Sequence, residues 1–184
     1  MNTVNVSRRR LLQASAVTGG GLVVGLTFTG CSSAPAPLPI ASTEGAWTPN
    51  AFLQILPDYT IRFYTARSEM GQGVTTGLAT LVGEELDVNP LDMDIRLAGV
   101  HDDYVNPAFG MQGTGGSSSI RGHYMQLRQV GANTRGLILE AAATDLGASA
   151  SALSTDNGFV LHGDKLYPYA AFVETAQALS IEAD

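Results

Sequence analysis

The sequence has one cysteine, Cys31, and none after it. A body without thiols forms no internal disulfide and holds no iron–sulfur cluster on its own thiolates. Basic charge is also scarce. Residues 1–43 carry three arginines and no acid, which leaves 7 basic and 17 acidic side chains, about −10, for the rest of a chain whose formal charge is −7. So acidic a body is a poor match for nonspecific nucleic-acid binding, and no nucleic-acid partner is expected. Long apolar runs are missing too. The stretch at residues 14–30 is short and diluted by glycine and threonine, too weakly hydrophobic for a spanning helix. No internal repeat is visible. His101, Asp102 and Asp103 have no second cluster at ligand spacing, so they read as a solvated loop, not a metal site.

What is present divides into three parts. "SRRRLLQ", residues 7–13, followed by the diluted apolar stretch, reads as a twin-arginine signal over residues 1–31, and periplasmic localisation is expected. Cys31 closes that stretch in "FTGC", where lipoprotein cleavage would acylate it and anchor the chain to the membrane. Ala34 and Ala36 offer ordinary cleavage instead, and both readings stay open. Residues 32–50, rich in Pro, Ser and Ala, read as a linker. Residues 51–184 form the folded body, long enough for one domain with a core.

Within the body, "FLQIL" and "TIRFYTA" have strand character and flank the turn signal "PDY", which suggests a hairpin. From Val74 the period lengthens. Val74, Leu78, Leu81 and Val82 make one face of a helix that Asn89-Pro90 should stop. "MDIRLAGV" alternates again as a strand. Residues 101–119 form a loop too long for a mere connection. A second helix is expected over 118–146, with Leu127, Val130, Ile138 and Ala142 facing inward. "DNG" and "HGDK" punctuate a small hairpin, and "YPYAAFVETAQAL" reads as a final short helix. The fold class is therefore mixed α/β (α+β): a hairpin and strands packed with two main helices.

Two glycine loops carry the chemistry. The first, "SEMGQGVTTG", lies between strand and helix, where free N–H groups and the helix dipole suit an oxygen-rich ligand. It lacks the Gly-Lys-Ser/Thr of a phosphate-binding P-loop. Gln72, between Gly71 and Gly73, both donates and accepts hydrogen bonds, which suits a neutral polar edge better than bare phosphate. The second loop, "QGTGGSSSIRG", stacks glycines and hydroxyls before the long helix, with Arg121 in its first turn, and suits an anion. An unliganded turn and a capped helix start account for the same residues. Arg121, Arg128 and Arg135 lie near one stripe of that helix. Arg121 is the candidate for the ligand, and the other two are expected to pair with carboxylates or face a partner. His123 and His162 read as structural, and Met70 and Met111 as packing residues.

"EMGQGVTTGLATLVGEELDV", "TGGSSSIRG" and "LRQVGANTRGLILEAAA" together resemble the molybdopterin-binding large subunits of the xanthine dehydrogenase and aldehyde oxidase family, in particular the exported isoquinoline 1-oxidoreductase type. The resemblance covers about residues 51–179. It implies a partial molybdopterin-binding domain of a molybdenum hydroxylase that oxidises aldehydes or N-heterocycles with water-derived oxygen. It implies that Gln72 hydrogen-bonds the molybdenum–molybdopterin cofactor, in its dinucleotide form, with Gly71 and Gly73 giving the backbone room. It also implies that Thr114, Gly115, Gly116, Ser117 and Ser119 contact the pterin and its phosphates. A small [2Fe–2S] subunit would carry electrons away. The family's catalytic glutamate, in a Gly-Glu-Pro type motif far along the large subunit, has no match: Gly83-Glu84-Glu85 lies inside a predicted helix. The chain is thus expected to need a remaining large-subunit segment and to be inactive alone.

Two other readings remain. A nicotinamide dinucleotide domain would use Gly71, Gly73 and Gly77 and needs a parallel β-α-β unit with an acid, Asp102 being the candidate, after the next strand. An exported non-catalytic scaffold or lipoprotein would keep the fold without the activity.

Overall fold

The structure, a computed structural model, describes residue 40 and residues 43–182, with side chains as far as residue 179. The stretch read as a signal, with Cys31, and residues 32–39, 41 and 42 of the stretch read as linker lie outside the described residues.

Among the described residues the chain forms two small sheets and three α-helices, in agreement with the mixed α/β expectation. Strands β1 (Leu53–Ile55) and β2 (Ile61–Thr65) pair antiparallel as the expected hairpin, with Leu53 opposite Phe63. In β2 the residues at period two, Ile61, Phe63 and Thr65, point into the core. The chain then passes through the first glycine loop into α1 (Val74–Leu86) and returns as β3 (Asp94–Leu97), parallel to β2 with Arg62 opposite Asp94. β2–α1–β3 is therefore a β-α-β crossover.

Helix α1 buries Val74, Leu78, Ala79, Val82 and Leu86, the face its periodicity predicts. It stops three residues before Asn89, because Asp87 turns left-handed at φ 59° and its N–H returns to Gly83 O. Asn89 instead caps a short 3-10 turn, Pro90–Asp92. Helix α2 (Ser119–Leu146) packs along α1 and buries Leu127, Ile138 and Ala142. The two helices approach closely at Gly131, where an added Cβ would stand 2.5 Å from Val82 O.

Beyond Gly147 the expected hairpin is a three-stranded antiparallel meander: β4 (Leu153–Asp156), β5 (Phe159–His162) and β6 (Lys165–Pro168). Tyr167 and Pro168, expected in the final helix, belong to β6. Proline disfavours helical backbone in the residue before it, so Tyr167 stays extended. A 3-10 turn, Tyr169–Phe172, leads into α3 (Val173–Glu182). The β4–β5 turn and the 3-10 turn after β6 grip the far end of α1: Tyr169 Oη donates to Leu86 O at 2.9 Å and Gly158 N–H to Asp87 O at 2.9 Å.

The packed body reaches back beyond residue 51. Trp47 is buried in the core and exchanges backbone hydrogen bonds with Ile55 at 2.9 and 2.8 Å. Asn50 Oδ1 accepts from Phe52 N–H at 2.9 Å and Leu53 N–H at 3.0 Å. The end of the stretch read as linker is thus folded, because an indole there has a hydrophobic place to go.

Candidate functional site

The first loop closes on itself. Gly71 and Gly73 have φ of 90° and 76°, a region that favours glycine. Nothing lies within 4 Å of a Cβ added to either, so the turn and not crowding demands glycine. Gly73 is the N-cap of α1 and has no side chain to cap with. Glu69 caps instead. Its Oε1 accepts from Gly71 N–H at 2.8 Å and Gly73 N–H at 3.0 Å, and its Oε2 from Thr75 N–H at 3.0 Å. These backbone donors, Thr75 first, pull its carboxyl down to about 2.

Gln72 is also held within the loop. Its Oε1 accepts from Met70 N–H at 2.6 Å and its Nε2 donates to Ser68 O at 3.0 Å. One partner only donates and the other only accepts, so the orientation of the carboxamide is determined. A carboxamide has two N–H groups and two lone pairs. The loop uses one of each, and the exposed side chain keeps one of each to offer.

The second loop is braced from below. Asn106, fully buried, donates from Nδ2 to Ser118 Oγ at 2.7 Å, and Ser118 Oγ donates to Gly115 O at 2.7 Å. Gly116 and Ser117 are successive left-handed residues, with φ of 58° and 51°. Ser118 is the N-cap of α2, yet its hydroxyl is turned to Gly115 and makes no bond to the helix. Gly115, Gly116 and Ser117 are exposed, and Thr114 and Ser119 are half-buried.

The two loops meet. Ser68 N–H donates to Thr114 Oγ1 at 2.9 Å. The first turns of the two helices also lie side by side, since a Cβ on Gly77 would come within 2.8 Å of Ile120 Cδ1. Gly71, Gln72 and Gly73 are therefore brought to the same end of the domain as Thr114, Gly115, Gly116, Ser117 and Ser119. Arg121 is exposed beside them, with no ion-pair partner among the described residues. Arg128 Nε donates to Glu85 Oε1 at 2.6 Å, and Arg135 Nε donates to Thr155 Oγ1 at 2.6 Å with Asp87 at 3.7 Å. Met70 and Met111 are exposed beside the loops and do not pack into the core.

Beneath the loops lies a buried cation. Arg67 Nη1 donates to Ala66 O at 2.8 Å and Tyr104 O at 3.3 Å, Nη2 is bonded to His123 Nε2, and Nε has no partner among the described residues. His123 Nδ1 meets Gln126 Oε1 at 2.8 Å, so the ring donates there and accepts from Arg67 as the neutral imidazole. Burial holds both groups below their ordinary values. Sequence reasoning missed Arg67 and Glu69. The spacing Glu-x-Gly-x-Gly was the available sign of the latter. His101 caps the 3-10 turn Asp102–Tyr104, accepting from Asp103 N–H at 3.3 Å. The parallel unit a dinucleotide fold needs is present as β2–α1–β3, but Asp102 stands in that turn and not at the end of β3.

Comparison with known proteins gives these loops a setting. A family model described as a molybdopterin cofactor-binding domain matches residues 2–184. Isoquinoline 1-oxidoreductase subunit beta of Brevundimonas diminuta is 32% identical over 87% of this chain and 20% of its own length. The membrane-bound aldehyde dehydrogenase [pyrroloquinoline-quinone] of Gluconacetobacter polyoxogenes is 31% identical over 92% of this chain and 21% of its own. The crystal structure of quinoline 2-oxidoreductase from Pseudomonas putida 86 aligns with a TM-score of 0.49 and 19% identity, over 72% of this chain and 16% of that one. The chain thus spans about a fifth of the length of these curated relatives. Matched by that family model over all but its first residue, the chain belongs to the molybdopterin cofactor-binding domain family.

Proposed function

We propose that this chain supplies part of the cradle for a molybdenum–molybdopterin cofactor in its dinucleotide form, within the large subunit of an exported molybdenum hydroxylase. The observation that carries the reading is the meeting of the two loops through Ser68 and Thr114 at 2.9 Å. The residues present fit such a group. Gln72 has one N–H and one lone pair to spare for a neutral ligand edge. Nothing lies within 4 Å of a Cβ added at Gly71, Gly73 or Gly115, so a ligand can approach the backbone there. The uncapped start of α2, the hydroxyls of the 114–119 loop and Arg121 suit phosphate.

When bound, the cofactor supplies the redox centre at which an aldehyde or N-heterocycle is hydroxylated with oxygen from water. This chain's residues bind and orient: Gln72 fixes the neutral edge, and the second loop holds the phosphates. A remaining large-subunit segment supplies the catalytic glutamate, and a separate [2Fe–2S] subunit takes the electrons. Isoquinoline 1-oxidoreductase subunit beta supports the hydroxylase reading. The name of the aldehyde dehydrogenase carries pyrroloquinoline quinone, a different cofactor, and the molybdopterin assignment follows the family model instead. The three consecutive arginines Arg8, Arg9 and Arg10 support twin-arginine export to the periplasm; Cys31 is the point of lipid attachment if cleavage falls before it, and ordinary cleavage after Ala34 or Ala36 is the alternative.

The test is a molybdenum and pterin assay on the chain purified from its own periplasm with whatever co-purifies. Molybdenum and pterin near one per chain are expected. A hydrogen bond is worth about 0.5–1.5 kcal/mol, so Gln72→Ala should weaken cofactor retention by up to about tenfold. No metal and no partner would overturn the proposal in favour of a non-catalytic scaffold.

A further inference from the structure

We infer that Glu69 is the specificity residue of the first loop: its carboxylate is a built-in anion that closes the amides of Gly71, Gly73 and Thr75 to phosphate and reserves the loop for the neutral hydrogen bonding of Gln72. The second half of this statement rests on the reading that Gln72 faces the cofactor. The first half stands on geometry alone.

A strand, a glycine turn and a helix in a parallel β-α-β unit is the frame in which dinucleotide phosphates settle, on free N–H groups at the positive end of the helix. This chain builds that frame as β2–α1–β3. It then fills the frame. The three amides that a phosphate would use already donate to Glu69 at 2.8, 3.0 and 3.0 Å. A phosphate would have to displace those bonds and sit against a like charge. The second loop is built the other way. Residues 112–122 contain no acid, no acidic side chain lies in the first turn of α2, and no side chain caps that helix. One end of the domain therefore offers two different surfaces, one closed to anions by its own carboxylate and one open.

The same bonds exclude another role. A carboxyl held ionised by three N–H donors, at about 2, is a poor proton acceptor near neutral pH. Glu69 is therefore no substitute for the glutamate base of the hydroxylase. It acts through the loop: the amides it holds flank Gln72 on both sides, which makes it a positioning residue for that carboxamide.

The experiment uses the full 184-residue chain without cofactor, 15N-labelled and titrated with inorganic pyrophosphate. In the wild type the amide signals of Gly71, Gly73 and Thr75 should stay in place at millimolar pyrophosphate. In Glu69→Ala the same three should shift saturably. Removing a merely structural cap would not create a pyrophosphate response confined to those amides. Saturable shifts in the wild type would overturn the inference, and so would silence in a folded Glu69→Ala. Should that variant not fold, Glu69→Gln keeps an acceptor oxygen without the charge. A response at the three amides is expected there, and silence would again overturn the inference. Because no molybdenum is involved, failure of the molybdopterin proposal leaves these shifts untouched, and their failure leaves the metal assay untouched.

Discussion

Arg67 sits in the interior with no carboxylate paired to it among the described residues, and a buried charge without a counter-charge is costly. Two carbonyls and the ring of His123 offset part of that cost, and the ring does so only while neutral. This sets a pH dependence. Burial lowers the folded-state pKa of His123 below the ordinary imidazole value of about 6.5. Above about pH 6.5 the ring is neutral in both states. As pH falls below that value the unfolded chain takes up a proton that the folded chain does not, so stability declines until the folded pKa is passed. The urea midpoint should therefore be lower at about pH 5 than at about pH 7.5, a window above ordinary carboxylate titration. His123→Gln keeps an acceptor for Arg67 and does not titrate, so its midpoint should change less. An equal drop in both proteins would sink the idea. Neither Arg67 nor Glu69 was legible in the sequence as a site residue. Their partners are backbone groups and a histidine far along the chain, and only the fold brings these together.

At the scale of elements, the two main helices were legible because their apolar residues recur at helical spacing. Leu78, Val82, Leu127 and Ile138 are all buried, and Leu81 and Val130 pack against the core. What the pattern did not show was pairing. That β3 runs parallel to β2, and that β6 joins β5 before the last helix, depends on contacts between distant residues. Gly131 and Gly136 give a paired prediction within α2. At Gly131 an added methyl would meet Val82 O at 2.5 Å and Glu85 Cβ at 3.0 Å, while at Gly136 nothing lies within 4 Å. Gly131→Ala should destabilise by about 1–3 kcal/mol through overpacking against backbone. Gly136→Ala should stabilise by about 0.5–1 kcal/mol, the usual gain over glycine inside a helix. Thermal melts of the two variants should move in opposite directions from wild type.

At the scale of the molecule, α1 is held at both ends by different parts of the chain. The glycine loops meet at its start, and the turns flanking the strands of the second sheet close on its finish through Asn157, Gly158 and Tyr169. Burial pushes the Tyr169 hydroxyl up to about 12, so it remains a donor to Leu86 O at all working pH. Tyr169→Phe leaves that carbonyl without its partner in the interior and should cost about 1–3 kcal/mol. The amide signals of the two loops should not change, because they belong to the other end of α1. Loss of loop signals in that variant would show that the two ends are not independent. The link between the loops has a consequence for how these sequences drift. Ser68 contributes only its main-chain N–H, whereas Thr114 contributes its side-chain hydroxyl. Position 68 is thus free to wander through any residue but proline, and position 114 tolerates serine at most. Variation should accumulate on one side of the bond and stall on the other.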